Sequence, residues 1–406
     1  MSEWKKVKLG EITESCLGKM LDAAKNRGEY KPYLANLNVR WGSFDTDKLS
    51  LMKFEEDEDE RYGIKYGDLI ICEGGEPGRC AIWKEQIPDM KIQKALHRVR
   101  PKAGLVNNFY LFYWFLLAGK RNWIDQYCTG ATIKHLPGQK LKEVIVDVPS
   151  LSTQHRIVAI LSRYDSLIEN YQKQIKLLEE AAQRLYKEWF VDLHFPGHEN
   201  TKIVDGVPEG WEKKTLGELI SYVRGKSYSS NEISDEGCIM VNLKNIQAFG
   251  GYKRDAEKRF IGEYKPEQTL QKGDLVMGVT DMTQERRLVG HVALIPDFNE
   301  PATFSMDLIK IIPYSIPIIY LYCAMRYGGI SKQISPLANG VNVLHLKPDT
   351  IMGTMMVVPR KDLIERFCPF VEEMTNKILK NQSQIRLLTE ARDRLLPKLM
   401  SGEIKA

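Results

Sequence analysis

The chain has 406 residues, 43% of them hydrophobic and 27% charged, with a formal net charge of +5. That length exceeds what one hydrophobic core usually holds, so two or more domains are expected, and the average composition argues against a disordered or collagen-like chain. The charged start Met1-Ser2-Glu3-Trp4-Lys5-Lys6 lacks the apolar stretch of a secretory signal, and the most apolar run, residues 109–118, is too short to cross a bilayer. Seven cysteines are scattered without a C-x-x-C pair, so a cytoplasmic protein with reduced thiols and no membrane span is expected. The mild positive charge permits a nucleic-acid partner without demanding one.

Short apolar runs broken by glycine and charged turns predict strands at residues 33–39, 69–72, 80–83, 96–99 and 144–148. The acidic run at 55–60 lacks the alternating oxygen ligands of a calcium loop and reads as a solvated face. Glu73-Gly-Gly-Glu-Pro-Gly-Arg79 is either a hairpin turn or a loop whose glycines let the backbone approach another surface closely. Residues 108–119 read as a helix packed on a sheet. Beyond them Ile157, Leu161, Tyr164, Ile168, Tyr171, Ile175, Leu178, Ala182, Leu185 and Trp189 are spaced alternately four and three, which is a heptad seam. A linker containing Phe195-Pro196-Gly197 follows, and then the pattern begins again.

The repeat has an offset of about 210 residues, far longer than a solenoid period. Trp4 to Ile12 returns as Trp211 to Leu219, Asn36-Leu37 as Asn242-Leu243, and Gly67-Asp68-Leu69 as Gly273-Asp274-Leu275. Gly130 with His135-Leu136 returns as Gly340 with His345-Leu346, and the helix at 108–119 as 318–328. The counterpart of the glycine loop, residues 280–290, is longer and carries Arg286 and Arg287. Loops that differ between two copies of one scaffold are where differing specificities are placed. The second seam runs through Phe367, Val371, Met374, Ile378, Asn381, Ile385, Leu388, Arg392, Leu395 and Leu399, with Asn381 and Arg392 as polar interruptions of the kind that fix register.

The expected fold class is α+β: two similar domains separated by two long antiparallel coiled-coil helices, with pseudo-twofold symmetry. The boundaries are 1–150 for the first domain, 151–190 for the central helix, 191–207 for a linker, 208–360 for the second domain and 361–406 for the C-terminal helix. The short linker makes any pairing of the helices antiparallel; two helices that each pack only on their own domain are the alternative. A seam of ~33 residues spans ~50 Å, and duplex half-sites one turn apart lie ~34 Å from each other, so such a chain suits a split DNA site.

A search for catalysis yields no constellation. There is no Pro-Pro, hence no Asn- or Asp-Pro-Pro-aromatic loop for methylating an exocyclic amine. Gly225-Lys226-Ser227 has Ile220 where a phosphate loop needs its first glycine. His194 and His198 are four apart, but Pro196 and Gly197 between them oppose a zinc-binding helix. Glu3-x-Lys5 and Glu263-x-Lys265 are nuclease-like fragments with no Pro-Asp before either. Neither a catalytic residue nor a metal site is expected in this chain.

The assembled motifs resemble the specificity subunits of type I restriction-modification systems over essentially the whole length. They are Trp4 to Ile12 with Gly67-Asp68; Gly130-Ala131-Thr132 leading to Leu136; Pro149-Ser-Leu-Ser-Thr-Gln154-His-Arg-Ile157; Trp189-Phe190-Val191; and Pro208-Glu209-Gly210-Trp211. One departure is Ile364, which falls where the first copy has Gln154. The resemblance implies a non-catalytic subunit whose two domains each read half of an asymmetric bipartite site on double-stranded DNA, with two methyltransferase (M) subunits clamping the chain around DNA and restriction (R) subunits joining them. S-adenosylmethionine, ATP and Mg would serve those partners, with no cofactor in this chain. Residues 163–188 carry five basic and five acidic side chains, a balance suited to packing against protein. The expected DNA contacts are Arg79, Lys94, Arg98, Lys134 and His135 in the first domain and Lys244, Arg286, Arg287, Asn342 and His345 in the second, since Arg pairs well with guanine and Asn with adenine. The competing readings are a stand-alone DNA-modifying or DNA-cleaving enzyme with an unrecognised active site, and a coiled-coil scaffold that binds only proteins.

Overall fold

A computed structural model describes residues 4–22 and 26–406, so Glu3 of the first nuclease-like fragment lies outside the described residues. The chain divides into two units, Met1–Leu167 with Leu388–Ala406, and Ile168–Leu387. The main elements of the first unit are β1 (Lys5–Lys8), β2 (Thr13–Leu17), β3 (Glu29–Leu34), β4 (Ser50–Phe54), β5 (Leu69–Cys72), β6 (Cys80–Ile82), β7 (Lys91–Ile92), β8 (Leu96–Pro101), helix α1 (Asn108–Lys120), β9 (Ile145–Val148) and the start of helix α2 (Leu151–Phe190). Strands β2, β8, β5 and β6 form an antiparallel sheet in that order, and β4, β3 and β7 a smaller one. β1 pairs with β9 just ahead of α2.

The central strand β5 is buried on both faces. Leu69 and Ile71 enter the core shared with α1, whereas Ile70 and Cys72 enter a second core with Leu34, Trp83 and Ile92. Successive strand side chains point to opposite faces, and with both faces covered the strand reads as an unbroken apolar run. The same enclosure explains α1, whose residues from Tyr110 to Ala118 are all buried and which starts at Asn107, the side chain accepting the N–H groups of Phe109 and Tyr110 at 2.9 and 3.2 Å.

Two sequence expectations are corrected here. Residues 33–39 are not one strand: β3 ends at Leu34 and Asn36–Asn38 forms a 3-10 turn, because Asn38 Oδ1 accepts the Ala35 N–H at 2.9 Å and offers the backbone a local alternative to the sheet. The acidic run at 55–60 is not merely solvated. Glu58 pairs with the buried Lys19, and Asp59 pairs with the buried Lys91 at 2.9 Å and with Lys31 at 3.2 Å. Burial works against the Asp59 charge, but these ammonium groups outweigh it and hold its carboxyl below its ordinary value.

The second unit repeats the plan with β10 (Glu212–Thr215), β11 (Ile220–Arg224), β12 (Ile233–Ser234), β13 (Cys238–Val241), β14 (Lys258–Phe260), β15 (Leu275–Gly278), β16 (Thr280–Asp281), β17 (Val292–Leu294), β18 (Ala302–Phe304), β19 (Leu308–Pro313), helix α3 (Ile318–Tyr327), β20 (Leu344–His345), β21 (Met355–Val358) and helix α4 (Lys361–Met400). Its central sheet runs β11, β19, β15, β17, its smaller sheet β12, β14, β13, β18, and β10 pairs with β21 as β1 does with β9. Gly225 follows β11 at a point where a Cβ would sit 2.0 Å from the Ser305 carbonyl oxygen, and the Lys226 N–H bonds Phe304 O at 2.8 Å. This glycine serves a close backbone crossing, which accounts for Gly-Lys-Ser without a phosphate.

Segments of α2 and α4 run antiparallel inside each unit. In the first unit, Ile157 shares a core with Leu399 while Asp165, further along α2, meets Arg392, further back on α4. In the second, Asn381 Nδ2 donates to Gln174 Oε1 at 3.1 Å, and the Phe190 and Phe367 rings meet at 4.9 Å. Every seam position read from the sequence is buried or half-buried.

The Gln154 departure has a physical account. Gln154, fully buried at the start of α2, accepts the Asn107 N–H at 2.8 Å and donates to Pro149 O at 2.8 Å. In the second copy the residue ahead of α3 is Pro317, which has no N–H to satisfy, and Ile364 simply joins the core. Gln154→Ile is therefore expected to strand a backbone N–H and to lower stability by about 1–3 kcal/mol, read from urea unfolding. An unchanged denaturation midpoint would contradict this role.

Candidate nucleic-acid interface

In the first unit the hairpin between β5 and β6 is tied to a distant segment. Leu136 N donates to Glu73 O at 2.7 Å, Gly74 bridges His135, and Thr129 and His135 exchange both backbone hydrogen bonds at 2.8 Å. The exposed stretch between them turns at Gly130, with φ +93°, where a Cβ would lie 2.2 Å from Ile133 O; only glycine fits. The buried His97 fixes the far end, its Nε2–H donating to Leu136 O at 2.9 Å. Burial holds its pKa below the ordinary histidine value, which keeps the ring neutral at neutral pH. Asn36 supports the hairpin itself, donating from Nδ2 to Gly74 O at 2.9 Å and accepting at its carbonyl from Arg79 Nη2 at 3.1 Å.

The second unit carries the same device with different contents. Asn339 and His345 exchange backbone hydrogen bonds, Gly340 takes φ +151°, and Leu346 N donates to Val279 O at 2.8 Å. Here β16 pairs with β20, so that Thr280 stands opposite His345 and Asp281 opposite Leu344. The longer loop beyond it is held from within. The fully buried Asp281 carboxylate accepts the N–H groups of Thr283 and Leu288 at 2.8 and 2.6 Å, that of Val289 at 3.3 Å, and the Thr283 hydroxyl at 2.8 Å. Gln284 Nε2 crosses to Val341 O at 2.7 Å, and the Phe249 N–H reaches Arg287 O at 2.8 Å.

The expected contact residues divide accordingly. Lys134 and His135 are exposed on the first platform, where Lys134 pairs with Asp125 at 2.6 Å. Arg79 ends its hairpin, half-buried and bonded to Glu76 at 3.1 Å. Lys94 is exposed beside it, next to Ala95, whose carbonyl receives the Glu73 N–H at 2.9 Å. Arg98 is not gathered there: its Nη1 donates to Glu60 O and Gly63 O at 2.9 and 2.8 Å, supporting the acidic turn. On the second platform Asn342 and His345 are exposed, Arg287 pairs with Glu285, and Arg286 is half-buried with φ +52°. Lys244 is exposed on the turn capped by Asn242, the repeat of the Asn36 turn. Sequence reasoning missed Asn36, Asp281 and Gln284. The repeated Asn-Leu pair was a usable signal for the first; nothing in the sequence marked the other two.

Among the described residues no group of three or more His, Cys, Asp or Glu side chains is disposed to hold a metal ion, and no helix is long and apolar enough to cross a membrane. Tandem mixed domains, each followed by a 40-residue helix and each presenting a glycine-turned loop platform, define a two-domain recognition protein. Residues 1–180 match the family described as type I restriction modification DNA specificity domain. The chain is 28% identical over 348 residues to the type I restriction enzyme MjaIX specificity subunit of Methanocaldococcus jannaschii, covering 84% of this chain and 78% of that one. It is 22% identical to the HindI specificity subunit of Haemophilus influenzae over the full length of both. A type I restriction-modification S subunit from M. genitalium shares the fold with a TM-score of 0.60 at 16% identity, over 98% of this chain and 96% of that one. The first 180 residues thus match the specificity-domain family, and the chain along its length is similar to type I restriction enzyme specificity subunits.

Proposed function

We propose that each unit reads one half of an asymmetric bipartite sequence in double-stranded DNA through its loop platform, and that the long helices set the gap between the halves. The observation that carries this reading is the pair of platforms: one backbone device, kept in both repeats by Gly130 and Gly340, displays Lys134 and His135 in one case and Asn342, Arg287 and a longer loop in the other. A shared scaffold with unlike side chains suits two readers of two words. The ten residues expected to contact DNA remain the candidates, although Arg98 and Arg79 also bond backbone carbonyls of their own unit. Two methyltransferase subunits and the restriction subunits are the partners, and S-adenosylmethionine, ATP and Mg belong to them, in the cytoplasm. Exposed apolar residues on the helices, Leu167, Leu177, Phe370 and Leu387, offer surface for protein contacts.

Selection from a random duplex pool tests this reading. The full chain is expected to enrich two short words separated by a fixed gap. Deleting seven residues from both α2 and α4 shortens each by about 10 Å, so the gap should shrink by about three base pairs. An unchanged gap sinks the spacer role. Cleavage or methylation by the purified chain without partners would instead favour a stand-alone enzyme.

A further inference from the structure

The rim of the second platform carries two large apolar side chains in water: Met282 is 79% exposed and Val341 88% exposed. Both sit on backbone that cannot easily withdraw them. Met282 directly follows Asp281, whose carboxylate grips the loop at both ends, and Val341 is the residue whose carbonyl receives Gln284 Nε2. The matching positions of the first platform, aligned through the equivalent Gly74–His135 and Thr280–His345 pairings, hold Glu76 and Ala131. The first platform has an exposed apolar side chain at a different place, Ile133 at 64%, so what belongs to the second reader alone is apolar character at the positions of Met282 and Val341. Arg287 in the same loop and Asn342, next to Val341, are exposed as well.

We infer that Met282 and Val341 are specificity-determining residues that read thymine C5-methyl groups in the major groove of the half-site taken by the second unit. In the major groove the thymine methyl is the apolar feature of an otherwise polar donor and acceptor pattern. An apolar side chain fixed on a polar platform recognises it by excluding water from both. Asn342, next in sequence to Val341, is of the residue type that bonds the adenine edge, which an A·T pair presents beside that methyl. The cationic Arg287 of the same loop suits a phosphate contact that sets register and carries no sequence information. This inference rests on the DNA reading proposed above.

The test uses the full chain and the duplex it enriches from a random pool, with each thymidine of the two words replaced in turn by deoxyuridine. That change removes the methyl and leaves base pairing intact. Wild type is expected to bind about threefold to fivefold more weakly at one or two positions of a single word, the worth of one buried methyl-sized group. The Met282→Ala, Val341→Ala double variant should bind both duplexes equally at those positions, and Ile133→Ala on the first platform should keep the wild-type difference there. Both side chains are exposed, so the double variant retains its fold. If wild type shows no thymidine preference in that word, or the double variant keeps it, the assignment is overturned while the DNA reading stands. A pool that enriches no sequence overturns both.

Discussion

Asp281→Ala should erase sequence preference in one of the two enriched words and leave the other intact. The carboxylate is fully buried and accepts four hydrogen bonds from Thr283, Leu288 and Val289. Burial alone would raise its pKa, but hydrogen bonds to the charged form outweigh that effect and hold it below the ordinary carboxylate value. A depressed folded pKa means that the stabilisation is present above the unfolded value and is lost only as pH falls through the folded one, so the loop is secured at neutral pH. Truncation leaves backbone N–H groups unpaired at about 1–3 kcal/mol each, enough to open residues 282–288 without unfolding the unit. Asp281→Asn is expected to do the same, because its amide turns a donor toward donors. Pool selection and amide exchange of the loop are the readouts. Retention of both words by a variant whose loop has lost protection would remove this loop from the recognition surface.

Arg392→Ala carries the largest expected cost to stability. Its Nη1 lies 2.6 Å from Asp165 Oδ1, while Tyr113 Oη donates to Asp165 Oδ2 at 2.5 Å, tying α4, α2 and α1 together. Asp393 extends the cluster, accepting from Arg392 Nη2 at 3.0 Å and pairing with Lys120. The Arg392 and Asp165 side chains are only 15% and 22% exposed. Truncating one member of such a pair leaves the other charge poorly compensated, with an expected loss of about 3 kcal/mol, the lower end of the range for buried pairs because some solvent screens it. Arg392→Met combined with Asp165→Leu should recover most of that loss, since replacing both partners removes the stranded charge. Chemical denaturation of the two variants distinguishes these outcomes. Equal destabilisation of single and double variants would show that packing and not charge holds this junction.

Arg392 also shows what kind of information a sequence carries. As a seam position it was visible as a polar interruption, but its partner Asp165 is 227 residues away in the chain, and nothing local names it. The same division runs through the loop platforms. The repeated Gly130 and Gly340 were legible as matched residues; that each turns a loop too tight for a Cβ, and that each loop leans on a hairpin far away in sequence, were not. Arg98 had the right chemistry for a base contact, and the sheet turned its guanidinium onto two backbone carbonyls instead.

What the sequence determined by itself is therefore periodic or repeated: the duplication, the two heptad seams, the short apolar strands and the apolar helix, all of which rest on patterns that each segment displays locally. What only the tertiary structure decided is convergence. The meeting of residues 73–79 with 129–136, and of 280–290 with 339–346, depends on a few hydrogen bonds across long chain separations, and the grip of Asp281 on its loop depends on one carboxylate oriented by everything packed around it. Neither leaves a period in the sequence, because a hydrogen-bonded contact needs only one residue at each end.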